Sequence, residues 1–68
     1  MTRRELDILV LVSDGLSYRL IARSLAITPR TASFHMVAVR GKLGAKNNAH
    51  AVALACREGL LPVRQRPG

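Results

Sequence analysis

The stretch Thr28-Pro29-Arg30-Thr31-Ala32-Ser33-Phe34-His35-Met36-Val37-Ala38-Val39-Arg40-Gly41-Lys42-Leu43-Gly44 has a start, a body and a stop. Thr28 is a good N-cap, because its hydroxyl can accept from a free backbone N–H of the first turn. Pro29 falls at the first helical position, where a missing N–H costs nothing. Gly44 can adopt the left-handed conformation that ends helices. Between them Ala32, Met36, Val39 and Leu43 recur at helical spacing and predict one apolar stripe. The other side carries Arg30, Ser33, Phe34, Val37 and Gly41, flanked by Arg40 and Lys42. Such a helix, buried along one stripe and basic at both ends of its outer face, has the form of a rod that enters a DNA groove.

The segments before it prepare its position. Thr2 with Glu5 three residues on is a capping-box pattern and opens a first helix over about 3–14, stopped by Asp14-Gly15. Leu6, Leu9, Val10 and Ser13 form its predicted stripe, with Ile8, Leu11 and Val12 as further apolar positions. Glu5 is read first as a cap, with an ion pair to a nearby arginine as a second role. Ser17 caps a second helix over about 18–25, whose face is Tyr18, Ile21, Ala22 and Leu25. Arg19 and Arg23, four apart, share a different face. Only Ala26-Ile27 separates this helix from the cap at Thr28, and two short helices joined so tightly are a helix-turn-helix. Ala26 stands where that turn usually has glycine.

After Gly44, either Asn47 or Asn48 can cap a fourth helix over about 49–58, closed by Gly59. It is rich in small residues and apolar almost all round. One face is expected on the first and third helices, and the other is free to meet a partner. Leu60-Leu61 is expected to fold back on the core, and 62–68 reads as a disordered basic tail. No strand signal is present. The fold class is therefore all-α, a four-helix domain over 1–61 with a central helix-turn-helix.

The charge narrows the partner. Eleven Lys and Arg face four Asp and Glu, a net charge of +7. From Gly15 to Arg57 there is no acid, while Arg19, Arg23, Arg30, Arg40, Lys42, Lys46 and Arg57 all fall there. Self-repulsion on that scale favours a polyanionic partner. A 68-residue chain makes one small domain burying only about 60% of its unfolded surface. Cys56 is the sole cysteine, so no disulfide forms within the chain, and it reads as a small buried apolar side chain. Asp7, Ser13 and Asp14 interrupt the first apolar segment, leaving no transmembrane run and no signal peptide; a soluble cytoplasmic protein is expected. No catalytic set, metal-ligand spacing or phosphate-binding glycine loop is present, and no cofactor is expected.

Read together, Thr2-Arg3-Arg4-Glu5, Leu9, Gly15-Leu16-Ser17, Ile21-Ala22, Leu25, Ile27 to Thr31, His35, Lys42-Leu43-Gly44, Ala51-Val52 and Ala55 resemble the LuxR-type (GerE-type) DNA-binding domain. The resemblance runs without gaps from residue 2 to about 61. It implies a transcription regulator that binds double-stranded DNA, a homodimer through the fourth helix, and RNA polymerase as a further candidate partner. It also implies a place at the C-terminus of a longer protein; an excised domain and a stand-alone protein both fit the sequence. Three departures bear on base contacts more than on fold. Ser33 stands where the family usually has lysine, Tyr18-Arg19-Leu20 where it often has Asn-Lys-Glu, and Asn47-Asn48 where it often has Asn-Arg.

The candidate DNA-binding residues are Arg19, Thr28, Arg30, Thr31, Ser33, Phe34, Val37, Arg40, Lys42 and Lys46. Thr28, Arg30 and Thr31 lie where the helix dipole favours a phosphate. Arg40, Lys42 and Lys46 are backbone contacts, and Ser33, Phe34 and Val37 face the bases. None of these last three is a bidentate reader, so modest specificity with thymine steps favoured is expected. Core packing is the alternative for Phe34. His35 reads as a hydrogen-bonded boundary residue and His50 as a surface residue. Two other functions stay open: a protein-interaction module with weakened DNA reading, and a sigma-factor-like promoter-reading domain.

Overall fold

The computed structural model describes residues 1–61 and contains four helices and no strand among them. They are α1 (Arg3–Ser13), α2 (Tyr18–Leu25), α3 (Pro29–Leu43) and α4 (Asn48–Arg57). The tail expected over 62–68 lies outside the described residues.

Each helix begins on a side-chain cap. Thr2 and Glu5 form both bonds of the capping box: Thr2 Oγ1 accepts from Glu5 N at 3.1 Å, and Glu5 Oε1 accepts from Thr2 N at 2.9 Å. Ser17 caps α2 through Leu20 N, Thr28 caps α3 through Thr31 N, and Asn47 caps α4 through His50 N. The choice between the two asparagines thus falls on Asn47, which starts α4 one residue before the expected Ala49. Asp14 and Glu58 are C-caps rather than last helical residues. Gly44 is left-handed with φ 68°, as its place required. Ala26 is left-handed too, with φ 56°, a conformation that costs an L-residue about 1–2 kcal/mol.

α3 lies against all three other helices, and α1 also packs on α2 and α4. The core is Ile8, Leu9, Ile21, Ala32, Met36, Val39, Ala51, Ala55 and Leu61. Ala32, Met36 and Val39 are fully buried as the stripe on α3 predicts, with Leu43 packed at its end. α1 departs from expectation. Its buried residues are Glu5, Ile8 and Leu9, whereas Leu6, Val10 and Ser13 are only partly buried. The inward face is thus turned toward Glu5, whose charge is tolerated there because Lys42 Nζ donates to Oε1 at 2.6 Å. The partner expected for Glu5 was an arginine; it is this lysine. At the other end, Leu61 is buried while Leu60 is 37% exposed, so only one of that pair folds back.

Cys56 is exposed, contrary to the buried position expected of it. α4 turns Ala51 and Ala55 inward, and Cys56, one residue further round the helix, falls outside that stripe with Ala49 and Ala53.

Candidate nucleic-acid interface

Because the inward stripe of α3 is complete, its remaining large side chains are forced outward. Phe34 is 73% exposed and Val37 54% exposed, which removes core packing as the role of Phe34. They are three residues apart and so share one face. Arg30 and Gly41 are exposed on the same side, and Ser33, Ala38 and Arg40 are half-buried along its margin.

The N-terminus of α3 is locally tied. Thr28 Oγ1 accepts from Thr31 N and donates to Thr31 Oγ1 at 2.9 Å, so its own hydrogen is taken up within the cap. The Thr31 hydroxyl keeps a hydrogen to donate, and both threonines are exposed beside Arg30. A free helix N-terminus with a neighbouring guanidinium favours an anion.

At the far end the cations behave differently from one another. Arg40 Nη1 donates to Asn48 Oδ1, and Asn48 Nδ2 donates to the Tyr18 hydroxyl at 2.7 Å. Arg40, Lys46, Asn47, Asn48 and Ala49 line one shallow groove. The Lys46 backbone N–H donates to His50 Nδ1 at 3.0 Å, which fixes the loop while the ammonium stays outside. Lys42 is half-exposed and ion-paired with Glu5. On α2, Arg19 and Arg23 are exposed. Among the described residues the only ion pairs are Arg3–Asp7 and Lys42–Glu5, so Arg19, Arg30, Arg40 and Lys46 carry uncompensated charge. The Glu5 carboxyl is held at about 2 instead of its ordinary 4.5. The Lys42 hydrogen bond is the largest cause, the Thr2 backbone bond adds to it, and desolvation opposes both.

The outward face of α3 is legible in the sequence. The part of Tyr18, Asn48 and His50 in organising the far end is not. One signal was available: two adjacent asparagines stand before one helix, and only one of them can be its N-cap. His35, expected to be hydrogen-bonded at the boundary, is half-buried and forms no side-chain hydrogen bond among the described residues. No helix among those residues is long and apolar enough to cross a membrane.

Comparison with known proteins agrees with this architecture. Residues 1–55 match the family described as "GerE: Bacterial regulatory proteins, luxR family". The transcriptional activator protein BjaR1 of Bradyrhizobium diazoefficiens is 43% identical over 61 residues, covering 90% of this chain and 25% of that protein. The transcriptional repressor ThaA of Burkholderia thailandensis is 39% identical over 59 residues, covering 87% and 25%. The transcriptional regulatory protein DegU of Brevibacillus brevis is 33% identical over 64 residues, covering 94% and 27%. The chain therefore spans about a quarter of the length of these relatives. No solved structure matches it. With four capped helices in the predicted order and a family match over most of its length, the chain belongs to the LuxR family of bacterial regulatory proteins, whose helix-turn-helix DNA-binding domain it carries.

Proposed function

We propose that residues 1–61 act as one transcription-regulating unit in the cytoplasm, laying the outer face of α3 in the major groove of double-stranded DNA. The observation that carries this reading is the exposure of Phe34 and Val37 on a helix whose opposite stripe is fully buried, with unpaired Arg30, Arg40 and Lys46 around them. The N-terminal half of such a helix meets base edges. Phe34 and Val37 then touch thymine methyl groups, and Ser33 supplies a weakly discriminating hydroxyl. Arg30 and the Thr31 hydroxyl take one phosphate at the helix start, with Thr28 shaping the cap. Arg19, Arg40 and Lys46 take others, adding affinity without reading sequence. Lys42 contributes least of these cations, because Glu5 already compensates its ammonium.

The exposed stripe Ala49, Ala53 and Cys56 on α4 supports pairing of two copies, with half-sites roughly one helical turn apart. Relatives named as an activator and as a repressor share this domain. The sign of regulation therefore lies outside it, in the remainder of a full-length regulator and in its placement relative to RNA polymerase. In a gel shift against promoter DNA, Arg30→Ala combined with Arg40→Ala weakens binding and flattens its salt dependence. Unchanged binding overturns the reading. The exposed Phe34 also favours a second reading, a protein-interaction module on the same fold. Equal, near-non-specific affinity for all DNA sequences together with tight binding of a protein partner would establish it.

A further inference from the structure

Tyr18 is the first residue of α2, Asn48 the first of α4, and Arg40 lies in the last turn of α3. The Asn48 side chain ties all three together. Its local role is already filled, because Asn47 Oδ1 accepts from His50 N at 2.8 Å and caps the helix. The amide orientation follows from chemistry. A guanidinium only donates, so Oδ1 faces Arg40; Nδ2 only donates, so the Tyr18 oxygen must accept. The phenol hydrogen is then left over, and Arg40 keeps four of its five N–H donors. Both side chains are half-buried, so neither has far to move, and ordering them on contact costs little further entropy. No acid occurs between Gly15 and Arg57 to accept these donors.

We propose that Asn48 is a positioning residue of the DNA-docking surface, its amide holding the Arg40 guanidinium and the Tyr18 hydroxyl as a pair aimed at backbone phosphate. The proposal rests on the DNA-docking reading above and adds Tyr18 and Asn48 to it. Tyr18 and Asn48 both stand at positions where this chain departs from the pattern it resembles, so the device belongs to this chain's own residues.

The test uses the full 68-residue chain and a short mixed-sequence duplex, because phosphate contacts do not depend on sequence. Affinity is followed by fluorescence anisotropy across a salt series. Asn48→Ala weakens binding about tenfold, the scale of one hydrogen bond to a charged group, and makes the log–log salt slope shallower by about one. Arg40→Ala does the same. Added to Arg40→Ala, Asn48→Ala costs no more than Tyr18→Phe does alone, about threefold. Full multiplication of the Asn48 and Arg40 effects, or an unchanged slope in Asn48→Ala, overturns the proposal and returns Asn48 to a purely structural tie. Tyr18→Phe is isosteric and keeps the test open should Asn48→Ala unfold; unchanged affinity in that variant also overturns it. If the unmodified chain shows no salt-dependent binding, the docking reading itself fails, whereas failure of the variants alone leaves that reading standing.

Discussion

Lys42 Nζ lies 2.6 Å from Glu5 Oε1, joining the last turn of α3 to the first turn of α1 across 37 residues of sequence. The same carboxylate oxygen closes the capping box on Thr2 N. One atom therefore fixes the start of α1 and the end of the helix proposed to meet DNA. The Lys42 bond is the largest cause of the fall of the Glu5 carboxyl from 4.5 to about 2, and the Thr2 backbone bond adds to it. A group with a depressed folded value binds its proton more readily in the unfolded chain. Its contribution is present in full above about 4.5 and is lost as pH falls toward about 2. Lys42→Met removes the main cause of the shift. Its melting temperature is therefore expected to fall well below that of the unmodified chain at pH 7, and much less so near pH 3. Equal losses at the two pH values would show that the pair is incidental.

Ala26 occupies the turn of the helix-turn-helix in a left-handed conformation, φ 56° and ψ 44°. Glycine relieves a penalty of about 1–2 kcal/mol there but gives the unfolded chain more freedom, offsetting about 0.4–1 kcal/mol. Ala26→Gly is accordingly expected to stabilise by roughly 0.5–1 kcal/mol and to raise the melting temperature by a few degrees. A lower melting temperature by calorimetry or circular dichroism would mean that the turn is not strained by its alanine.

The contrast between local and distant chemistry explains what could be read from the sequence. Caps at Thr2, Ser17 and Thr28 and the stop at Gly44 depend on neighbours within about four residues, so they are visible in the chain itself. The outward place of Phe34 was readable for a related reason: Ala32, Met36, Val39 and Leu43 already filled the inward stripe. The Lys42–Glu5 and Asn48–Tyr18 contacts join residues 37 and 30 apart, and no periodicity announces them. The rotation of α1 toward Glu5 was hidden for that reason too, since a carboxylate reads as outward until its partner is known. Cys56 was misplaced because a helix rich in alanine gives a shallow contrast between its faces.

Gly41 is an exposed residue inside α3, and a β-carbon built there meets nothing within 4 Å. Glycine in a helix interior is about 0.5–1 kcal/mol less favourable than alanine. Gly41→Ala is expected to raise the unfolding free energy of the free chain by about that amount in urea titration. Because Gly41 continues the face of Phe34 and Val37, the added methyl is also expected to weaken DNA binding. A variant both more stable and equally avid would place Gly41 outside the contact.

Phe34 separates the two readings of the exposed face. At 73% exposure its removal leaves the core intact, so Phe34→Ala is expected to change stability by no more than about 0.5 kcal/mol. If the ring meets thymine methyl groups, replacing thymine by uracil in the half-site removes its target while leaving every base-pair hydrogen bond in place. Each lost methyl should then cost the unmodified chain about 0.8 kcal/mol, or roughly fourfold in affinity. In Phe34→Ala the same replacement should cost less, because the apolar surface that covered the methyl is gone, and Val37 alone remains to feel it. Measuring the four combinations of protein and DNA isolates this one contact from the phosphate terms, which are equal throughout. A uracil penalty that is absent from the unmodified chain, or unaltered in Phe34→Ala, would take the ring out of the groove and leave its exposed surface to a protein partner.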